Sequence, residues 1–574
     1  MTSTAPPLSP RSRDAALREM ASADLDVLVV GAGVVGAGAA LDAATRGLRV
    51  GLVEAGDYGS GTSSRSSKLV HGGLRYLKQL HVPLVREALR ERRLILEQLC
   101  PHLAHPVPFI YPLERAVWDR AYVGLGIGAY DLLGAGRGVP GHARHLGRKR
   151  TLSSFRSARR DAIRGGILFY EGQLDDARHT MMLARTAAAH GALVANSARV
   201  TGLSRNGERV VGAQVTDLES GAQLALRASV VVLAAGVWTE EFHELLGEHR
   251  FHTRASKGVH LLVPRSAIES ATGLITETEK SLLFVIPCPW SEDFWIIGTT
   301  DTPWSLDLRH PAASQADIDY LLERLNRLLE APVTRDDVVG VYAGLRPLVG
   351  GTSDETSKLS RKHVVVSPAP GAIVVSGGKY TTYRVMAAQA VDAAARDLPF
   401  PVARSCTDRV PLVGADGYDA LLRHREHLAT DLELPVGHVD RLLGRYGVEV
   451  HELSDLVRAR HDLAHPLVGA PKYLRVEAHY AVSHEGALHL EDILARRLRV
   501  SVDTPSRGLE AASEVADLVA PILGWAPSDV SREVYRYTAR VEAERASQLQ
   551  LDDVTANAAR LVAPEARDST GLLT

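Results

Sequence analysis

The hydrophobic pattern near the start of the chain changes period three times in thirty or so residues. Residues 25–30 are an unbroken apolar run, short enough for a strand buried on both faces. A glycine-punctuated turn follows, then a small-residue stretch with helical character, then a second apolar run over residues 48–53 that ends on Glu54. Strand, turn, helix and strand in that order predict a βαβ unit with parallel, buried strands. Residues 84–99 carry leucines at helical spacing with charges opposite them, which predicts a surface helix.

Further along, residues 165–203 read as strand, helix and strand, and residues 209–226 as a hairpin turning at 219–221. A buried strand over 229–233 runs into Ala235 and Gly236. Residues 254–263 and 282–300 are strand-rich and suit an antiparallel sheet that roofs a site, and residues 370–396 return to a strand followed by an alanine-rich helix. The periodicity lapses between residues 397 and 411, around DLPFPVARS, which marks the best domain boundary. Beyond it helical spacing dominates, as in 421–434, 439–446 and 509–520, so a helical C-terminal domain with a packing or assembly role is expected.

Composition narrows the function classes. A chain of 574 residues exceeds one hydrophobic core, so two or three domains are expected. A net charge of −2 argues against a strongly basic nucleic-acid binder, and no nucleic-acid partner is expected. Cys100, Cys288 and Cys406 lie far apart without a C-x-x-C, which fits a reducing compartment and leaves no cysteine metal site. No metal is expected from the histidines either, and no G-x-S-x-G elbow appears. Residues 1–22 read as a flexible tail, and no uncharged stretch approaches the ~18 apolar residues of a spanning helix. A peripheral membrane contact is open. Residues 107–137, with Phe109, Tyr111, Trp118, Tyr122 and Tyr130 among Arg115, Arg120 and Arg137, are its candidate, against ordinary core and loop packing.

The chemistry starts at the turn. Gly31, Gly33 and Gly36 have the G-x-G-x-x-G spacing: one glycine for the tight turn, one for close approach of a pyrophosphate, one for helix–strand packing. The helix N-terminus then offers unpaired N–H groups to phosphate, and Glu54 is placed to accept from an adenosine ribose. An acid there argues against a 2′-phosphate but does not separate NAD from FAD. Three separated segments then set cations among glycines: Lys68, His71, Arg75 and Tyr76; Arg346 with Arg361; and Gly377, Gly378, Lys379, Thr382 and Arg384. Arginine forks and a lysine point charge suit a phosphate dianion, so a small phosphorylated substrate is expected.

The runs VVGAGVVGAGAALDAATRG, SSKLVHGGLRY, IIGTTD, YAGLRPL and GGKYTTYRVMA, with VEAHYAVSHEGALHLEDILARR beyond the boundary, resemble the FAD-dependent, quinone-linked glycerol-3-phosphate dehydrogenases over nearly the whole chain. One departure is Ala32, where the family usually has a third consecutive glycine, at a position with no steric need of it. The resemblance implies an α/β fold with α+β elements: an FAD-binding Rossmann-like domain, an antiparallel-sheet substrate (cap) domain and an all-helical C-terminal domain. The expected FAD-binding parts are about 23–100, 160–240 and 340–398, the cap parts about 101–159 and 241–339, and the helical domain 405–574.

It further implies oxidation of sn-glycerol 3-phosphate to dihydroxyacetone phosphate, with electrons passed through FAD to a membrane quinone. The enzyme would then be cytoplasmic and peripheral on the inner face of the plasma membrane, with a homodimer as a possible assembly. By motif matching Arg75, Tyr76, Arg346 and Arg361 would hold the substrate, with His260, Thr300 and Lys379 around its C2 hydroxyl. His260 is the expected base, with Lys379 or Arg346 as electrostatic partner. The cofactor set is Gly31, Gly33, Gly36, Glu54, Thr62, Ser63, Ser67, Lys68, His71, Gly72, Val200, Ala235, Gly236, Gly378, Lys379 and Thr382. Open alternatives are an oxidase using oxygen, an amine or amino-acid oxidase of the same fold, and a non-catalytic FAD scaffold.

Overall fold

The computed structural model describes residues 5–73, 81–113, 142–248, 250–278, 282–350 and 363–567. The opening unit folds as strand Asp24–Val30, helix Val34–Thr45 and strand Val50–Val53. Its two strands pair in parallel, Val27 with Val50 through Val30 with Val53, because the helix carries the chain back across the sheet. Strands Gln223–Leu233 and Ala372–Gly377 extend the parallel run on one side and Leu193–Ala195 on the other. Val27 and Val29 face helices Val34–Thr45, Asp176–Ala189 and Tyr383–Ala395. Leu28 and Val30 face the opposite way, onto a layer that includes the hairpin of Arg209–Asp217 with Gln223–Leu233. Strands covered on both faces need no alternation, which is why they read as continuous apolar runs.

The expected loose tail is corrected over its second half. Residues Pro10–Ser22 form a helix with a reciprocal Ser9–Ser12 capping box and proline in the first turn. Ala16, Leu17 and Met20 bury against the sheet, and Arg13 pairs with Asp217. The apolar stripe is so narrow that the polar residues around it dominate the pattern.

The second sheet has ten strands and carries the roof: Leu69–Val70, Ala104–Leu113, Arg144–Gly147, Gly165–Leu174, Thr253–Pro264, Gly273–Glu277, Leu282–Pro287, Phe294–Gly298, Thr302–Trp304 and Gly340–Val349. It is antiparallel except where Gly273–Glu277 lies parallel to Ala104–Leu113. Three of its strands, Leu69–Val70, Gly165–Leu174 and Gly340–Val349, fall in stretches expected to belong to the nucleotide domain. The chain crosses between the sheets several times, and strand patterning alone does not say which sheet a strand joins.

Helix Val82–Leu94 runs into a π-type turn at Ile95–Leu99. It is less of a surface helix than its charges suggest, since Glu91 pairs with Arg384 and Arg92 with Glu171 in the interior. Within the aromatic stretch proposed for a membrane contact, Phe109 is core, and residues 114–137 lie outside the described residues. Among the described residues no helix is long and apolar enough to cross a membrane. The C-terminal region is mostly helical and docks through buried charges: Arg496 and Arg497 on Asp57, Arg499 on Asp175 and Asp176, Arg178 on Glu485.

Candidate active site

Backbone geometry at the opening turn explains its glycines. Gly31 sits at φ +96°, and a Cβ there would lie 2.7 Å from the Ala234 carbonyl oxygen. A Cβ on Gly36 would fall 1.8 Å from the Gly31 oxygen, so the helix can lie against the strand only without one. Glu54 closes the unit by accepting from the backbone N–H of Ala32 at 2.6 Å and of Gly56 at 2.7 Å. Burial raises its pKa, and those two N–H groups oppose the rise. Each carboxylate oxygen keeps a second lone pair for a ribose hydroxyl.

In front of this turn lies a cavity of about 1100 Å³, just above the usual range for small-molecule sites. Its walls include Gly31, Gly33, Glu54, Thr62, Ser63, Ser67, His71 and Val200 from the expected cofactor set, together with Ala235, Gly236 and Gly378. The expected catalytic residues His260, Arg346 and Lys379 line the same cavity.

The roof of the cavity is one face of two paired strands. In Thr253–Pro264 and Gly340–Val349 the register sets Ser256 opposite Arg346, Gly258 opposite Gly344 and His260 opposite Tyr342. These even-numbered positions share a face, while Val259, Leu261, Val341 and Ala343 turn into an apolar core. Glycines on that face make room: a Cβ on Gly258 would lie 2.4 Å from the Arg346 guanidinium, and one on Gly298 2.2 Å from the His260 ring. Arg346 donates to the Thr299 hydroxyl at 2.8 Å and to the Thr300 carbonyl at 3.1 Å.

His260 is buried, stacks on Tyr342 at 4.8 Å, and places Nε2 2.8 Å from the Ser67 hydroxyl. Desolvation, reinforced by Arg346 and Lys68, holds its pKa well below the ordinary histidine value, so the ring is neutral. Lys379 joins the lining on the turn formed by Gly377 and Gly378, both at positive φ.

Several expected contacts are not made at the cavity. The Lys68 side chain is buried and holds Asp176 at 2.6 Å and the Ser64 carbonyl at 2.7 Å, with burial lowering its pKa to about 8. It props the loop bearing Ser67 from behind. Thr300 turns into the sheet, where its hydroxyl accepts from the Val259 N–H, and Thr299 lines the cavity in its place. Gly72 and Thr382 are buried behind the wall, and Gly36 serves packing alone. Arg75, Tyr76 and Arg361 lie outside the described residues. Among the described residues no cluster of histidine, cysteine and carboxylate could hold a metal.

Comparison with known proteins decides what this architecture is. Residues 26–390 match the model of the FAD dependent oxidoreductase family, and residues 405–530 match that of the C-terminal domain of alpha-glycerophosphate oxidase. A glycerol-3-phosphate dehydrogenase of Mycobacterium leprae is 54% identical over 98% of this chain and 95% of its own. The chain belongs to the FAD-dependent glycerol-3-phosphate dehydrogenase family. Glycerol-3-phosphate dehydrogenase 2 of Mycobacterium tuberculosis is likewise 54% identical over 98% of the chain and 95% of its own. The crystal structure of glycerol-3-phosphate dehydrogenase from Bacillus halodurans complexed with FAD superposes with a TM-score of 0.76 at 29% identity, covering 93% of this chain and 98% of that one.

The enzyme is thus a flavoprotein, and its residues fit FAD: the turn admits no Cβ at Gly31, Glu54 lines the cavity beside that turn with lone pairs to spare, and His260 lines the same cavity. Sequence reasoning missed Thr299, Tyr342 and the roof glycines Gly258, Gly298 and Gly344. The alternation in SKGVH, glycine two before histidine, was the one signal that could have exposed the roof face.

Proposed function

We propose that this enzyme oxidises sn-glycerol 3-phosphate at C2 to dihydroxyacetone phosphate and passes the electrons to a membrane quinone. The observation that carries this reading is a buried His260 on the wall of the cavity that starts at the dinucleotide turn, a wall that Arg346 and Lys379 share. Bound FAD supplies the acceptor for the hydride leaving C2.

The chain's own groups do the rest. Arg346, held by Thr299, presents its fork to the phosphate, and Lys379 adds a second cation. His260 takes the hydroxyl proton at Nε2, the nitrogen now facing Ser67. A phosphate dianion bound by Arg346 opposes the burial that lowers the His260 pKa and moves it back towards the working range. Cations beside the oxygen stabilise the alkoxide that develops as the proton leaves. Arg75, Tyr76 and Arg361 are proposed as further substrate contacts. Quinone reduction requires the enzyme to meet a bilayer, so the reading includes peripheral attachment at the inner face of the plasma membrane; a homodimer is the proposed assembly.

Anaerobic mixing with glycerol 3-phosphate should bleach the visible flavin absorbance, and glycerol should not. Absence of bleaching refutes the substrate, and rapid peroxide release in air would replace quinone with oxygen as acceptor. His260→Ala should lower kcat by about 10²-fold or more, the usual worth of a general base. A loss within threefold removes His260 from that role.

A further inference from the structure

The cavity has a wall that neither the nucleotide domain nor the roof sheet supplies. After helix Asp553–Arg560 the chain runs back over the molecule, and Glu565, Ala566 and Arg567 line the same cavity as Gly31 and Glu54. Both ends of this short segment are fastened to opposite rims. Glu565 bonds His310 at 2.6 Å, and His310 belongs to the turn that follows the roof strand Thr302–Trp304. Arg567 donates to the Ser197 hydroxyl and, through both terminal nitrogens, to Asp492.

The second anchor fixes which end of the cavity is covered. The Ser197 N–H donates to the Gly56 carbonyl at 2.9 Å and the Ala198 N–H to the Glu54 carbonyl at 2.8 Å. Arg567 is therefore one residue removed from the acid that closes the dinucleotide unit, and its charge favours the ionised form of Glu54. The segment also lies beyond residue 530, where the match to the C-terminal family model stops.

We infer that residues 565–567 are a strap across the adenosine end of the cavity, with Arg567 retaining the cofactor through its ADP half. This rests on FAD occupying the cavity with its adenosine at Glu54. Asp492 is fully buried and already carries Arg496, so it orients the Arg567 guanidinium without consuming every donor. A guanidinium held in this way suits a diphosphate and its ribose better than a mobile lysine would. Bound cofactor would have to pass under the strap to leave, so the effect falls mainly on the dissociation rate.

Three variants test it: a chain ending at Pro564, Arg567→Ala and Arg567→Lys. FAD release is followed by the recovery of free-flavin fluorescence after dilution. ADP and FMN binding to the apoprotein are measured by calorimetry. The truncated chain and Arg567→Ala should release FAD about tenfold faster or more, as expected for a charge-assisted contact of about 1.4 kcal/mol. ADP affinity should fall by a similar factor, Arg567→Lys should restore part of it, and FMN, which lacks the adenosine, should bind as to the parent. FAD release within twofold of the parent in Arg567→Ala overturns the strap, and so does an equal loss of FMN and ADP binding, which would mark a general loosening. If the truncated chain does not fold, the two point variants decide. A parent apoprotein that binds FMN but no ADP would instead overturn the placement of adenosine at Glu54.

Discussion

Replacing Arg499 with methionine tests how the helical domain supports the site. Arg499 is buried and donates to Asp175 at 2.6 Å, to Asp176 at 2.7 Å and to the Ser64 carbonyl at 3.1 Å. Lys68 shares Asp176 and Arg445 lies 3.9 Å from Asp175, so three cations surround two carboxylates behind the loop that carries Ser67. Methionine keeps much of the volume and removes one cation. Breaking a buried pair from one side costs about 3–5 kcal/mol, because the other charge stays desolvated. At about 1.4 kcal/mol per decade that is a 10²- to 10⁴-fold change in the docking equilibrium of the helical domain.

The sign of the pH dependence separates this account from lost packing. Burial by itself raises the pKa of Asp175, yet Arg499, assisted by Arg445 and Lys68, brings it well below the ordinary value. In the parent Asp175 therefore contributes stability above its unfolded pKa of about 4, lost only as pH falls through the depressed folded value. Without Arg499 the folded pKa moves up, with only Arg445 and Lys68 left to oppose burial, so the variant should lose less stability than the parent as pH falls below about 4. Urea unfolding at several pH values gives the difference, and Trp290, whose ring lies 5.0 Å from the Arg499 guanidinium, is a local fluorescence reporter. A difference below about 1 kcal/mol at pH 7, or one independent of pH, would refute the electrostatic argument. The Ser64 carbonyl loses one of its two donors and keeps Lys68, so kcat should fall by only a few-fold as the Ser67–His260 contact loosens.

Other consequences follow from the same geometry. Gly258→Ala puts a methyl where the Arg346 fork lies, so KM for glycerol 3-phosphate should rise at least about tenfold while flavin content stays at the parent level; equal KM would remove Arg346 from phosphate binding. Thr299→Val should lower kcat/KM by about five- to tenfold through loss of one hydrogen bond to Arg346, and Thr300→Val should act on stability instead; steady-state kinetics and thermal melting of both variants check the assignment. His489 is opposed by burial, but its bonds to Glu219 and Glu533 prevail and raise its pKa to about 9. With the folded value above the unfolded value, its contribution is full below about pH 6.5 and is lost as pH rises towards 9; His489→Gln should flatten that part of a melting-temperature profile.

What could be read from the chain divides along the range of the interactions involved. Gly31, Gly36 and Glu54 answer to constraints set within thirty residues of one another, so spacing alone exposes them. Roof residues answer to a register fixed by pairing with a strand some ninety residues away, and a shift of one residue exchanges the two faces. That is why His260 and Arg346 were legible as residue types, while the choice between Thr299 and Thr300 was not. Lys68 shows the limit for charges, since its neighbourhood of glycine and serine suits a ligand as well as it suits Asp176. The same holds for Arg384, drawn inward by Glu91 across almost three hundred residues. A cation's address depends on where its counter-charge arrives, and here the helical domain delivers several of them to one rim. Arg496 and Arg497 reach Asp57, Arg499 reaches Asp175 and Asp176, and Arg567 reaches a segment bonded to Glu54. The domain expected to pack or assemble therefore also sets the shape of the cofactor's cavity, and mutations in it should be read first as changes to flavin retention and loop position.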